Sequence, residues 1–213
     1  MPLSEEQIET NKNRFIELIQ SIEVEGADIQ GLLKYLERGD FFHAPASTLY
    51  HNNYEGGLCE HSLHVYDTLV ELVNRYKPGC IDPNSILIVG LLHDISKTNF
   101  YEQYYANKKV YNESGSKHDN LGKFDWVSEA AYKVKDPKDR FLGGTHGFNS
   151  MIIAGKFFPL TYEENLSLLH HHAGMGEESP LKELSAILEK YPLVTLLHTA
   201  DFLSTYILEK SNA

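Results

Sequence analysis

Along most of the chain, apolar residues recur at three- and four-residue intervals, the spacing that lines one face of an α-helix. Between Ser4 and about Ile22, the side chains of Ile8, Phe15, Ile16 and Ile19 fall near one face, and the opening Ser4-Glu5-Glu6-Gln7 has the form of a capping box. A short second helix is predicted from Asp28 to Glu37, stopped by Arg38-Gly39-Asp40. Helical spacing resumes at Leu58, runs through Val65, Leu69 and Leu72, and ends near Lys77-Pro78-Gly79. Asp82-Pro83-Asn84-Ser85 then opens a helix through the apolar run SILIVGLL, with Pro83 in the first turn, where a missing N–H does no harm. Further helical stretches are predicted at about 146–157, 162–172, 181–190 and 193–208.

Two segments depart from this rhythm. The stretch FFHAPASTLYHNNYEGG is rich in Pro, Gly, Asn and aromatics and reads as an irregular loop. From about 99 to 142, YEQYYANKKVY and FDWVSEAAYKVK flank a Gly/Ser/Asn turn, which predicts a β-hairpin or an ordered excursion. The expected fold is therefore mainly all-α, a helical bundle with a small β-hairpin insertion around 100–140. With no repeat, low-complexity tract or long linker, residues 1–213 are expected to form a single domain, a helical extension over 1–40 leading into a core from about 41.

Composition narrows the function. At 213 residues, 42% hydrophobic and 23% charged, the chain is of a size and make-up to bury a real core. Its formal charge of −11 argues against binding double-stranded nucleic acid or an anionic membrane, both of which call for basic patches. It leaves room for an anionic substrate, because bound divalent ions reverse the local field. Cys59 and Cys80 form no disulfide framework and lack the CxxC spacing of a zinc site. MPLSEEQ has no signal-peptide pattern, and ILIVGLL is far short of the ~20 apolar residues of a membrane span. A cytoplasmic protein with reduced thiols is expected, its oligomeric state left open.

The chemistry is concentrated in the histidines, of which there are 11. In LLHDISK, His93 and Asp94 follow a run of apolar residues, where a carboxylate is expensive to bury unless it is paired or metal-bound. Neighbours on a helix diverge by about 100°, so this pair alone cannot grip an ion but can contribute two ligands at a helix edge. His61 lies near a helix start after Gly56-Gly57, and His146 lies just after Gly143-Gly144. His170-His171-His172 close an apolar helical run, and Asp201 is embedded in the apolar LLHTADFLST. Spread over several helices, these residues suit a bundle that builds a metal site from facing side chains. Imidazole and carboxylate donors without sulfur fit Mn, Fe, Co, Ni or Zn, with Mg as a harder alternative. His64 and His198, each three residues from a candidate ligand, read either as packed side chains or as groups that orient a ligand; His43 and His118 read as ordinary surface residues.

The ordered residues His61, His93-Asp94 and Asp201 resemble the H…HD…D signature of the HD superfamily of metal-dependent phosphohydrolases. The likeness spans roughly residues 40 to 210, including FFHAPASTLYHNNYEGGLCEHSLHV, the HD-x-x-K form of HDISK, and THGFNS…LLHHHAG…LLHTADFLSTY. It implies that His61, His93, Asp94 and Asp201 hold one divalent metal ion. His146 and a member of the histidine triplet match the added positions of the two-metal subgroup, with Asp94 bridging. His171 aligns best within the triplet, and His172 is next. The implied reaction is hydrolysis of a phosphoester of a small nucleotide-type substrate by metal-activated hydroxide, with Asp94 and Lys97 catalytic. Lys97, four residues after His93, would reach the phosphate from the same helix face. His51, Lys108, Lys109 and His172 are candidate substrate contacts, and Tyr111 and Trp126 could stack or line the pocket. The alternatives are a catalytically silent nucleotide-binding or regulatory module, and a single-strand 3′–5′ exonuclease, which the acidic composition does not favour.

Overall fold

The computed structural model describes residues 2–141, 144–172 and 181–209. Gly143, and the Ala173-Gly174 turn expected after the histidine triplet, lie outside these residues. The chain opens with α1 (Glu5–Gln20), where the Ser4 hydroxyl accepts from Gln7 N at 3.2 Å and Gln7 Oε1 accepts from Ser4 N at 2.8 Å, the reciprocal box expected. There follow α2 (Ile29–Arg38), capped by Asp28, then α3 (Gly57–Tyr76) and α4 (Pro83–Leu92), capped by Asp82 with Pro83 in its first turn. After the sheet come α5 (His146–Ala154), α6 (Tyr162–His170), α7 (Leu181–Lys190) and α8 (Pro192–Leu203).

Helices α1 to α6 and α8 share one hydrophobic core, in which Phe15 and Ile19 of α1 and Leu32 and Leu36 of α2 join Leu58 and Leu69 of α3, Leu168 of α6 and Leu197 of α8. The N-terminal helices are thus part of the common core. At the centre is α4, whose residues Ile86 to Leu92 are all buried, so that it has no polar face. Each fully buried leucine or isoleucine contributes about 1.5–3 kcal/mol relative to exposure. The His93-Asp94 pair therefore directly follows a run of wholly buried residues.

The expectation that Lys97 continues the same helix is corrected. The α-helix stops at Leu92, Asp94 adopts φ −108°, ψ 15°, and Ile95–Lys97 form one 3₁₀ turn. Lys97 consequently faces Asp94, three residues earlier, rather than lying one turn above His93.

The insertion is a three-stranded antiparallel sheet in the order β1 (Tyr101–Tyr111), β3 (Gly122–Val134), β2 (Lys117–Asp119). Its long ladder runs from Tyr101↔Val134 to Tyr111↔Phe124, and β2 pairs with the beginning of β3. Only Tyr101 and Phe124 of the sheet are buried, so most of both faces meets solvent. At its root the Tyr101 hydroxyl donates to the Ala46 carbonyl, the acceptor that Lys97 also uses. The helical stretch expected to run to Leu208 ends at Leu203 and continues as a π-helical turn over Ser204–Leu208. Cys59 and Cys80 are free thiols, and no described helix is long and apolar enough to cross a membrane.

Candidate metal centre

Local structure brings each candidate ligand to one end of the bundle. Gly56 at the N-cap of α3 has φ +82°, a conformation a side chain would strain, and this turn sets the helix that carries His61. Asp94 follows the last turn of α4. Thr145 caps α5, its hydroxyl accepting from Phe148 N, so the helix begins at His146. His171 is the C-cap of α6, and Asp201 is buried on α8.

Asp94 lies between two histidine pairs. Its Oδ2 is 3.6 Å from His61 Nε2 and 3.5 Å from His93 Nε2. Its Oδ1 is 3.8 Å from His146 Nε2 and 3.6 Å from His171 Nε2. On the first side, His61 and His93 face each other through Nε2 at 3.2 Å, and Asp201 Oδ1 is 3.3 Å from His61 Nε2. On the second, His146 and His171 approach Nε2 to Nε2 at 3.0 Å, and His172 completes a cluster with them. His172 also contacts Asp201, Nε2 to Oδ2, at 3.0 Å.

A divalent ion fits these donors. Asp94 is fully buried beside Lys97, and among the described residues its Oδ1 has no hydrogen-bond partner, which leaves that oxygen for a cation. The Nδ1 atoms of His93 and His171 lie 2.9 Å from the Gly90 carbonyl and 2.8 Å from that of Leu168. A carbonyl can only accept, so in both rings Nδ1 carries the hydrogen and Nε2 is the atom turned inward. Burial pushes His93 down to about 3 and His146 to about 2, so both are unprotonated at neutral pH. Burial also opposes ionisation of Asp94, yet the Lys97 ammonium beside it holds its carboxyl well below the usual range.

The remaining candidates divide. Lys97 Nζ is 2.7 Å from Asp94 Oδ2 and 2.9 Å from the Ala46 carbonyl. His51 packs on His61 with ring centroids 4.7 Å apart; among the described residues both its nitrogens lack hydrogen-bond partners, and burial pushes it down to about 4. His51, His172 and Asp201 line a cavity of about 390 Å³ walled by Phe202 and Tyr206, within the range of small-molecule sites. Lys108 lines a second cavity of about 880 Å³, which shares Tyr50 and Glu209 with the first, and pairs with Glu129. Lys109 is not brought to either cavity: it is bonded to Asp119 at 2.6 Å, as is Tyr111 at 2.9 Å, while Trp126 packs on Phe124. His198 Nδ1 lies 2.7 Å from the His171 carbonyl. His43 is exposed and bonded to Glu55, and His118 is exposed on β2.

Sequence reasoning missed Glu209. Both its carboxylate oxygens lie 3.0 Å from His61 Nδ1, and Oε1 is 2.9 Å from His64 Nδ1. Those rings, with His51, hold its carboxyl down to about 2 against the effect of burial. Burial would lower His61, but Glu209 and Asp201 raise it to about 10. Nothing in the local sequence marks Glu209, which is separated from His61 by 148 positions.

A bundle whose helices aim imidazoles and carboxylates at one buried aspartate belongs to the class that builds metal centres between helices. The family model of the HD domain matches residues 58–205, and the chain belongs to this family of metal-dependent hydrolases. Comparisons with curated proteins and with solved structures return no significant match.

Proposed function

We propose that the chain hydrolyses a phosphoester of a small nucleotide-type substrate, using one or two divalent ions at the Asp94 centre. The observation that carries this reading is the position of Asp94, whose two oxygens face different histidine pairs. His61, His93, Asp94 and Asp201 would hold one ion, and Asp94, His146 and His171 the other. Such ions, when bound, polarise a phosphoryl oxygen and acidify water. Residues 1–213 are read as one domain, since α1 and α2 share the core of the rest.

The chain's own groups prepare the site for an anionic ester. His93 and His171 are held by backbone carbonyls with Nε2 inward, so no reorientation is needed when ligands are required. Lys97 keeps a buried positive charge at Asp94, and two of its three donors are accounted for there and at Ala46. The third is assigned to a substrate phosphoryl oxygen. His51 and His172, on the wall of the smaller cavity, are assigned to the substrate as well; the nitrogens of His51, which have no partner among the described residues, suit a polar contact. The Phe202 and Tyr206 rings, 4.7 Å apart, give this cavity an apolar wall for a planar base. Glu55, Glu60 and Glu129 line the larger cavity and disfavour a long polyanion there, against the single-strand exonuclease alternative.

The test is chromatography of the products formed by the purified chain with Mn²⁺ or Ni²⁺ (nucleosides, nucleoside monophosphates, phosphate or polyphosphate) from a panel of mononucleotides, nucleoside triphosphates, cyclic nucleotides and short oligonucleotides. Turnover is expected with at least one class, and Asp94→Ala should abolish it. Metal-loaded protein silent on the whole panel would overturn the enzymatic reading and leave that of a binding module.

A further inference from the structure

The inward histidines are not oriented by equivalent partners. His93 and His171 each turn Nδ1 to a neutral backbone carbonyl one turn earlier in their own segment. His61 instead turns Nδ1 to a carboxylate, with both oxygens of Glu209 at 3.0 Å. The Glu209 side chain is fully buried, and its second partner, His64 Nδ1 at 2.9 Å, lies one turn along α3 from His61. An isolated carboxylate would not be buried here; this one is held between two rings of the same helix.

The backbone makes that contact available. In an uninterrupted α-helix, the interval from Asp201 to Glu209 would leave the two side chains roughly 80° apart about the axis. The chain instead takes a π-helical turn over Ser204–Leu208, closed by Glu209 N donating to Ser204 O at 3.0 Å. A wider turn rotates less per residue and reduces the offset. Asp201 thereby meets His61 at Nε2 while Glu209 meets the same ring at Nδ1.

We propose that Glu209 is a positioning residue that makes the two halves of the centre unequal. It holds the hydrogen on His61 Nδ1, so that Nε2 is the atom offered to an ion, and it places a negative charge behind that ring. The half formed by His61, His93, Asp94 and Asp201 therefore binds its divalent ion more tightly than the half formed by Asp94, His146 and His171. A carboxylate behind a ligating imidazole is typically worth 10–100-fold in metal affinity. The inference rests on the reading of these residues as metal ligands, and does not depend on which ester is hydrolysed.

The experiment is calorimetric titration of the metal-stripped full chain with Zn²⁺. Two phases are expected. Glu209→Gln should weaken the tighter phase by about 10–100-fold and spare the weaker one, Glu209→Asp should recover part of the loss, and His146→Ala should remove the weaker phase alone. An unchanged tight phase in Glu209→Gln, or equal weakening of both, would overturn the proposal while the metal site itself stands. A wild-type chain that takes up no ion would overturn the metal reading and this inference with it. A second measurement needs no variant: long-range ¹H–¹⁵N spectra of the Zn²⁺-loaded wild type should show the His61 hydrogen on Nδ1, and a hydrogen on Nε2 refutes the proposal.

Discussion

Asp94→Asn in the metal-stripped protein is expected to destabilise the fold, although it removes a buried charge. The Lys97 ammonium is 2.7 Å from Asp94 Oδ2, with its side chain 13% exposed. In an effective dielectric of about 20, that separation corresponds to a gross attraction of roughly 6 kcal/mol. Desolvation of both groups cancels part of it, and breaking a buried pair by removing one partner costs about 3–5 kcal/mol. The lysine can shed its proton instead of remaining charged without a partner, which favours the lower end. For a chain of 213 residues, 1 kcal/mol moves the melting temperature by about 2–4 °C, so a fall of about 6–20 °C is expected. Scanning calorimetry in EDTA reads it directly. Adding Lys97→Met should restore much of the loss, because the unpaired ammonium and not the missing carboxylate is its source. A single variant as stable as the wild type, or a double variant no more stable than the single, would refute the reasoning. The first result would mean that the pair adds nothing net to the metal-free fold, and the second that the unpaired ammonium is not the source of the loss.

The metal-free protein should also carry a pH signature. His61 is raised to about 10, so its contribution is complete below the unfolded value of ~6.5 and is lost as pH rises through about 10. Glu209 is depressed to about 2, so its contribution is complete above ~4.3 and is lost as pH falls through about 2. Urea midpoints in EDTA should therefore fall between pH 7 and 10; a flat profile there would contradict the buried His61–Glu209 pair. Gly147→Ala should loosen the second histidine pair, since a Cβ there would sit 2.5 Å from the Leu169 carbonyl oxygen and 2.8 Å from that of Leu168. Overpacking of this kind costs about 1–3 kcal/mol, and by pushing α5 off α6 it should weaken ion uptake at His146 and His171, which metal titration checks. Lys109→Ala should leave phosphoester turnover unchanged, because the side chain is committed to Asp119 on the sheet; a loss matching that of Lys97→Ala would place the sheet in the active site.

What was legible in the chain follows from where burial is expensive. The amphipathic α1 and its Ser4–Gln7 box could be read locally, because both the apolar face and the cap lie within one segment. The sheet was legible as strands through its aromatic and β-branched residues. The pairing of Lys117–Asp119 onto the start of β3 was not, since register depends on contacts absent from either segment alone. In α4 the uniform burial that made the helix evident also concealed its end. The break between Leu92 and Ile95 has neither Gly nor Pro to announce it. Helical spacing therefore places Lys97 one turn from His93, whereas the 3₁₀ turn brings it to Asp94.

The same contrast separates the ligands from the group behind them. Asp94 and Asp201 stand among apolar neighbours, so their sequence context already implied a compensating partner, and the histidines near helix ends supplied candidates. Glu209 stands between Leu208 and Lys210, where an acidic residue would ordinarily be solvated, and nothing there signals a cost. It is buried only because a widened turn carries it to two rings of α3, a relation between distant segments. A reading based on local cost finds the residues that need a partner and overlooks one that is recruited to be a partner. Glu209 is of the second kind: a carboxylate that costs nothing in its own segment and acts only through the His61 and His64 rings it reaches.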